Sequence, residues 1–206
     1  MREHKKQDYL LHDNGIKRVR YCKDLRMVLS LDYRAHTVKI YDHDMKNTSR
    51  FSPKKEKHGN KFPFIVDFDH SEIGGRLGVL LSDETISTVH LNNLLHKTQA
   101  EFDAGWLNEV VFPLPCHMRQ IYYLQMINRW LTVPEEGLGV YLFDMERVRS
   151  QPEKVKSKPK LVNNDLPVSL VVEVVPLSCV CVVTGNEVNF YTESFSEMKY
   201  GKFSHH

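Results

Sequence analysis

Cys179 and Cys181, with Cys116 and His117 elsewhere in the chain, are the residues most suggestive of a metal centre. Structural zinc takes paired cysteines from a turn, two to four residues apart, so that both thiolates reach one ion. Cys179 and Cys181 alternate by two inside the apolar run PLSCVCVV, which reads as a strand with both thiols on one face. They are expected to be buried small hydrophobes. Two acidic clusters, Asp42-His43-Asp44 and Asp67, Asp69 and His70, combine carboxylates with an imidazole. Such groups could hold a metal or transfer protons. Each cluster stands where a strand meets a turn, and there Asp accepts hydrogen bonds from backbone N–H groups. The expectation is turn chemistry, with catalysis by Asp67, Asp69 or His70 a lesser alternative.

Other chemistry is missing from the sequence. There is no G-x-x-x-x-G-K or G-x-G-x-x-G phosphate loop and no G-x-S-x-G elbow. No catalytic residue, cofactor or metal is therefore expected. Lys54, Lys55 and Lys57 form a basic patch that could meet nucleic-acid phosphates or acidic protein surfaces. No aromatic residues interleave with them, so a solvated charged loop is the default reading. The formal charge of +2 lacks the basic excess of a dedicated nucleic-acid-binding domain.

The elements that would position these residues emerge when the chain is compared with itself. Four segments end in alternating strands, HTVKIYD (36–42), ETISTVH (84–90), LGVYLFD (138–144) and EVNFYTE (187–193). Val38, Ile86, Val140 and Val188 are then equivalent, at spacings of 48, 54 and 48 residues. Before each lies an apolar run, MVLSL (27–31), LGVLL (77–81), WLTV (130–133) and CVCVV (179–183). Before those come IKRVRY (16–21), PFIVDFD (63–69), IYYLQM (121–126) and LVVEVV (170–175). Thr-Gly-Asn at 184–186 is a hairpin signal. Residues 19–42 and 121–144 align without a gap, matching Tyr21 with Tyr123, Leu29 with Leu131, Val38 with Val140 and Asp42 with Asp144. Only 91–102 offers a helical pattern. Trp130 belongs to a strand core, and Trp106 is left open as a strand residue or an exposed anchor.

The first segment resembles a WD repeat. His12, Ile16, Val19 and Tyr21 give H-x3-I-x2-V-x-Y; Val28-Leu29-Ser30 and Thr37 to Asp42 follow as second and terminal strands. In that family a His, a Ser or Thr, an Asp and a Trp form a buried hydrogen-bonded set. The resemblance implies those roles for His12, Ser30 and Tyr41, with Tyr41-Asp42 in place of Trp-Asp. Ala35 stands where the turn Asp would be. His117-x3-Ile121 offers a second register for the third unit, shifted by three residues, and the sequence leaves both open. The match is specific over 12–42 and extends as an apolar pattern to 193.

The expected fold is all-β and propeller-like, with about four blades of antiparallel strands near 12–45, 62–92, 106–145 and 166–195. Polar loops are expected at 46–61 and 146–165. The lone Asn47-Thr48-Ser49 sequon is read as a chance match. At about 40–45 residues per blade, 206 residues hold four or five blades. Rings of this type usually have more, so either the four close on themselves or, as the favoured expectation, they form an incomplete ring within a larger propeller. What the resemblance implies is a non-catalytic protein–protein interaction scaffold, part of a larger cytoskeletal or ciliary assembly. Its partners would be other proteins or the remainder of a larger propeller chain. The alternative is a module binding nucleic acid or acidic surfaces through the basic loops. Four scattered cysteines, no apolar run of membrane-spanning length and a charged N-terminus imply a reducing, cytoplasmic or nuclear setting.

Overall fold

The computed structural model describes residues 15–34, 36–53, 63–95, 110–136, 139–143, 167–185, 187–192 and 203–204. Short alternating apolar runs separated by tight turns cannot bury their hydrophobic faces alone, and they pair here into four small antiparallel sheets. The first holds β1 (Ile16–Cys22), β2 (Met27–Asp32), β3 (Val38–Tyr41) and β4 (Asn47–Phe51) in chain order. The second holds β5 (Ile65–Ser71), β6 (Arg76–Leu81), β7 (Thr85–His90) and β8 (Val110–Pro113). The third holds β9 (Met118–Leu124), β10 (Arg129–Pro134) and β11 (Tyr141–Phe143). In the fourth are β12 (Val168–Val174), β13 (Cys179–Thr184), β14 (Glu187–Tyr191) and β15 (Phe203–Ser204). A five-residue helix, α1 (Leu91–Leu95), follows β7. Among the described residues no helix is long and apolar enough to cross a membrane.

The chain divides into two units, Met1–Phe64 and Ile65–His206. Within the first, Cys22, Met27, Leu29, Leu31, Val38, Ile40 and Phe51 are buried. Within the second, one cluster joins Leu80 and Ile86 to Ile121, Tyr123, Trp130 and Phe143. Another joins Tyr122, Leu124 and Leu131 to Val171, Val180 and Val182. Alternate residues of β9 thus pack toward opposite neighbours, as the period of two requires.

The four sheets share one backbone design. In each first strand the pairing register slips once, leaving Lys17, Val66, Arg119 or Ser169 as the extra residue of a bulge. Each first strand then joins its second through a four-residue turn. The turn is closed by a bond from the N–H of Arg26, Gly75, Asn128 or Ser178 to the carbonyl three residues earlier. Those four residues are left-handed, with φ of 50°, 54°, 51° and 48°. Bulge and left-handed residue stand nine positions apart every time, as Lys17 and Arg26, Val66 and Gly75, Arg119 and Asn128, and Ser169 and Ser178.

This common frame decides the register of the third sheet. Lys17 matches Arg119, so Tyr21 matches Tyr123, as in the gapless alignment. Matching His12 with His117 would displace both bulge and turn by three residues and is ruled out.

Three boundaries move. The stretch 46–61, expected to be a polar loop, contains β4, whose backbone completes the free edge of β3 and whose Phe51 is buried. Likewise β8, expected in the third unit, is the last strand of the second sheet, where it pairs with β7. The last sheet reaches past 195 to β15. Lys54, Lys55, Lys57, His12 and Trp106 lie outside the described residues, as does all of 146–165.

Candidate functional site

β5 and β9 are edge strands of their sheets, so each has backbone groups that its own sheet leaves unbonded. Asp67 and Asp69 point from β5 toward β9 and supply what that edge lacks. Asp67 Oδ2 accepts the Ile121 N–H at 3.0 Å, and Asp69 Oδ2 accepts the Tyr123 N–H at 3.0 Å. Both acids are buried. The period of two that puts Asp67 and Asp69 on one face also puts the N–H groups of Ile121 and Tyr123 on one edge. A hydrogen bond to a charged group contributes about 1.5–3 kcal/mol. The two together form a clasp between the second and third sheets.

His70 completes this cluster. Its N–H donates to Asp69 Oδ1 at 3.0 Å, and its ring lies 3.7 Å from Asp69 and 3.8 Å from Glu72. The expected turn chemistry is therefore corrected for Asp67 and Asp69. They lie inside β5 and bind the backbone of a neighbouring sheet, because a buried edge strand must find acceptors for its N–H groups. Carboxylate oxygens so occupied are poorly placed to activate water or ligate an ion.

Sequence reasoning overlooked the second clasp. Glu173 of β12 accepts the Gln125 N–H through Oε2 at 3.0 Å and the Met126 N–H through Oε1 at 2.7 Å. One carboxylate thereby holds the four-residue turn between β9 and β10. Its signal was a lone acid in the apolar run LVVEVV, which needs a donor once the run is packed.

The third join is apolar. Trp130, expected in the core, is buried and packs against Tyr123 at 5.0 Å between ring centroids. Its ring also lies on the backbone of Gly78 in β6, where an added methyl group would overlap it.

Of the residues implied by the WD-repeat resemblance, Ser30 and Tyr41 are buried together in the first sheet and share a side-chain hydrogen bond. Burial raises the Tyr41 pKa, and the Ser30 bond partly offsets that shift. Asp42 folds the following turn, its Oδ1 accepting the N–H groups of Asp44 at 3.0 Å and Lys46 at 2.9 Å. All four cysteines are free thiols. Burial, then the neighbouring Cys179, raises the Cys181 pKa, which disfavours the thiolate a metal would need. Among the described residues no three His, Cys, Asp or Glu side chains converge as metal ligands would.

No protein-family model matches the chain, and no curated protein shows significant similarity to it.

Proposed function

We propose that the chain is a non-catalytic protein–protein interaction scaffold with propeller-like sheets of the WD-repeat type. The observation that carries this reading is the fourfold recurrence of the bulge and the left-handed turn at a fixed separation. A repeated small sheet that buries its faces against like sheets is the building principle of propellers. Such a frame holds its strands rigid and frees its connections to meet partners. Further support comes from Asp67 and Asp69. These buried acids accept backbone N–H groups, so the best acidic candidates for catalysis serve assembly instead. A cytoskeletal or ciliary setting is carried by the sequence resemblance alone, and so is membership of a larger propeller.

The test is capture of the tagged full chain under mild lysis, at low and high salt. The scaffold reading expects a defined set of proteins at both, unchanged when Lys54, Lys55 and Lys57 are replaced by Glu. Recovery of nucleic acid or acidic proteins, lost with salt and with those lysines, would favour the basic-loop alternative. A chain that remains alone under all conditions would overturn both.

A further inference from the structure

The shared backbone frame shows which way each first strand faces. Counting from the bulge, the second and fourth following residues of β9 are Ile121 and Tyr123, which pack toward the second sheet. The third is Tyr122, which packs toward the fourth. In β5 the first and third are Asp67 and Asp69, directed at the sheet that follows. Within Ile65–His206, one set of positions therefore meets the preceding sheet and the other meets the following one.

Applied to β12, the rule directs Leu170 and Val172 toward a following sheet, while Val171 packs against the third. Applied to β1, it directs Val19 and Tyr21 toward a preceding sheet. These are the positions that stand open. Leu170 and Val172 are 45% and 42% exposed, and Val19 and Tyr21 are 43% and 57% exposed. Of their counterparts in β9, Ile121, Tyr122 and Tyr123 are buried, and Gln120, which matches Leu170, is half-buried. Val175 and Leu177, in the turn after β12, are exposed as well.

We propose that the β12 face of one copy of this chain docks the β1 face of a second copy, head to tail. Leu170 and Val172 would cover Val19 and Tyr21 as sheets already cover one another around β9. The two faces are of the two kinds that this repeat packs together, so the complement of each is carried by the same chain. Charge does not oppose the match. By the same count Arg18 and Arg20 fall on the other face of β1, and Glu173 of β12 is turned to the third sheet, where it holds Gln125 and Met126, so these charges lie off the two open faces. Neither Leu170 nor Val172 can supply the carboxylate bonds of the Asp67 and Asp69 clasp, so the junction is apolar. A contact between two different patches is heterologous and can propagate from copy to copy.

This inference rests on the repeat-sheet reading above. Sedimentation velocity of the full chain over a concentration series tests it, with Leu170→Asp and Tyr21→Asp as variants. The wild-type chain is expected to associate as concentration rises, and each variant alone to weaken association about tenfold or more. Mixed together, the two variants are expected to form a heterodimer, because each retains the face the other has lost. Circular dichroism checks that both remain folded, and Val172→Ser with Val19→Ser serves as a milder pair. A wild-type chain that stays monomeric overturns the proposal. So do variants that associate like wild type, or a mixture that fails to recover the complex. A monomer that still captures a defined set of proteins would remove this junction and leave the scaffold reading intact.

Discussion

The first and third sheets run in the same register from bulge to terminal strand, and their interiors differ at a hydroxyl and at an indole. In the first, Val28 pairs with Tyr41 and Ser30 with Lys39; in the third, Trp130 pairs with Phe143 and Thr132 with Tyr141. Ser30 and Thr132 are therefore equivalent, as are Tyr41 and Phe143. The first sheet keeps a hydrogen bond between its pair. In the third, Phe143 has no hydroxyl, and the fully buried Thr132 Oγ1 has no hydrogen-bond partner among the described residues. An unsatisfied buried polar group costs about 1–3 kcal/mol. The third sheet compensates with bulk, because Trp130 stands where the first sheet has the half-buried Val28. The first sheet thus has a polar lock at Ser30 and Tyr41, and the third an apolar wedge at Trp130, a different position of the shared frame.

The largest test of that contrast removes the wedge. Trp130→Ala is expected to cost about 3–5 kcal/mol, the range for truncating a buried aromatic. Val28→Ala at the matching position should cost about 1 kcal/mol or less, since it removes fewer carbons from a side chain that is already partly exposed. Urea unfolding of both variants gives the comparison. Gly78→Ala attacks the same join from the other side and should cost about 1–3 kcal/mol through overlap with the indole. In a double-mutant cycle, the Gly78→Ala penalty should largely disappear once Trp130 is Ala. Equal costs at Trp130 and Val28 would erase the distinction drawn between the two sheets.

Exchange of the hydroxyl comes next. Tyr41→Phe removes the lock and should cost about 1 kcal/mol, whereas Phe143→Tyr gives Thr132 a partner and should stabilise by a similar amount. Thr132→Val, which replaces the unsatisfied hydroxyl by a methyl of like shape, should also stabilise. Opposite signs for Tyr41→Phe and Phe143→Tyr are the outcome to look for in thermal unfolding. Destabilisation by both would mean that the third sheet cannot accommodate the bond.

The same tyrosine gives the lock a pH dependence. Burial raises the folded pKa of Tyr41 above its ordinary value of 10.0, so the folded chain holds the phenolic proton more tightly than the unfolded chain does. Its contribution is complete below that ordinary value and is lost as pH rises through the folded pKa. Stability should therefore fall in alkali with a slope that Tyr41→Phe reduces. Tyr141 is raised as well, by burial and then by Cys116, so that variant should leave part of the slope behind. An unchanged alkaline slope would show that Tyr41 is not the group responsible.

These contrasts indicate how far the sequence could be read. The alternating runs located the first three strands of every sheet, because a half-buried strand must repeat its apolar residues every second position. Strand β4 escaped that test. NTSRF has no apolar alternation, and it becomes a strand by completing the backbone edge of β3. Asp67 and Asp69 were visible as residues but not as a clasp. Their partners lie 54 positions away, and only folding brings β5 beside β9. Ser30 and Tyr41 could be paired through the WD-repeat resemblance because one local hairpin contains both. What unites the four sheets was written least clearly of all. The left-handed turn position is Arg26, Gly75, Asn128 and Ser178, four different side chains on one backbone shape.

That turn position supplies the smallest and most general test. A left-handed conformation costs an ordinary L-residue about 1–2 kcal/mol, and glycine avoids the clash that causes it. Asn is the side chain that tolerates it best, and Asn128 is further held by a hydrogen bond from the Tyr123 hydroxyl. Arg26 and Ser178 lack both advantages. Arg26→Gly and Ser178→Gly should each stabilise the chain by about 0.5–1 kcal/mol, the relief of strain outweighing the added freedom of the unfolded backbone. Asn128→Gly, by contrast, should gain little or lose stability, because it gives up the Tyr123 bond. Gly75→Ala should cost about 1 kcal/mol or more for the same reason in reverse. If the four turns are one design repeated, denaturation midpoints will rise at Arg26 and Ser178 and fall at Gly75. If Arg26→Gly destabilises, the Arg26 side chain does something for its sheet that the shared backbone does not require, and the first sheet differs from the others in more than its hydroxyl.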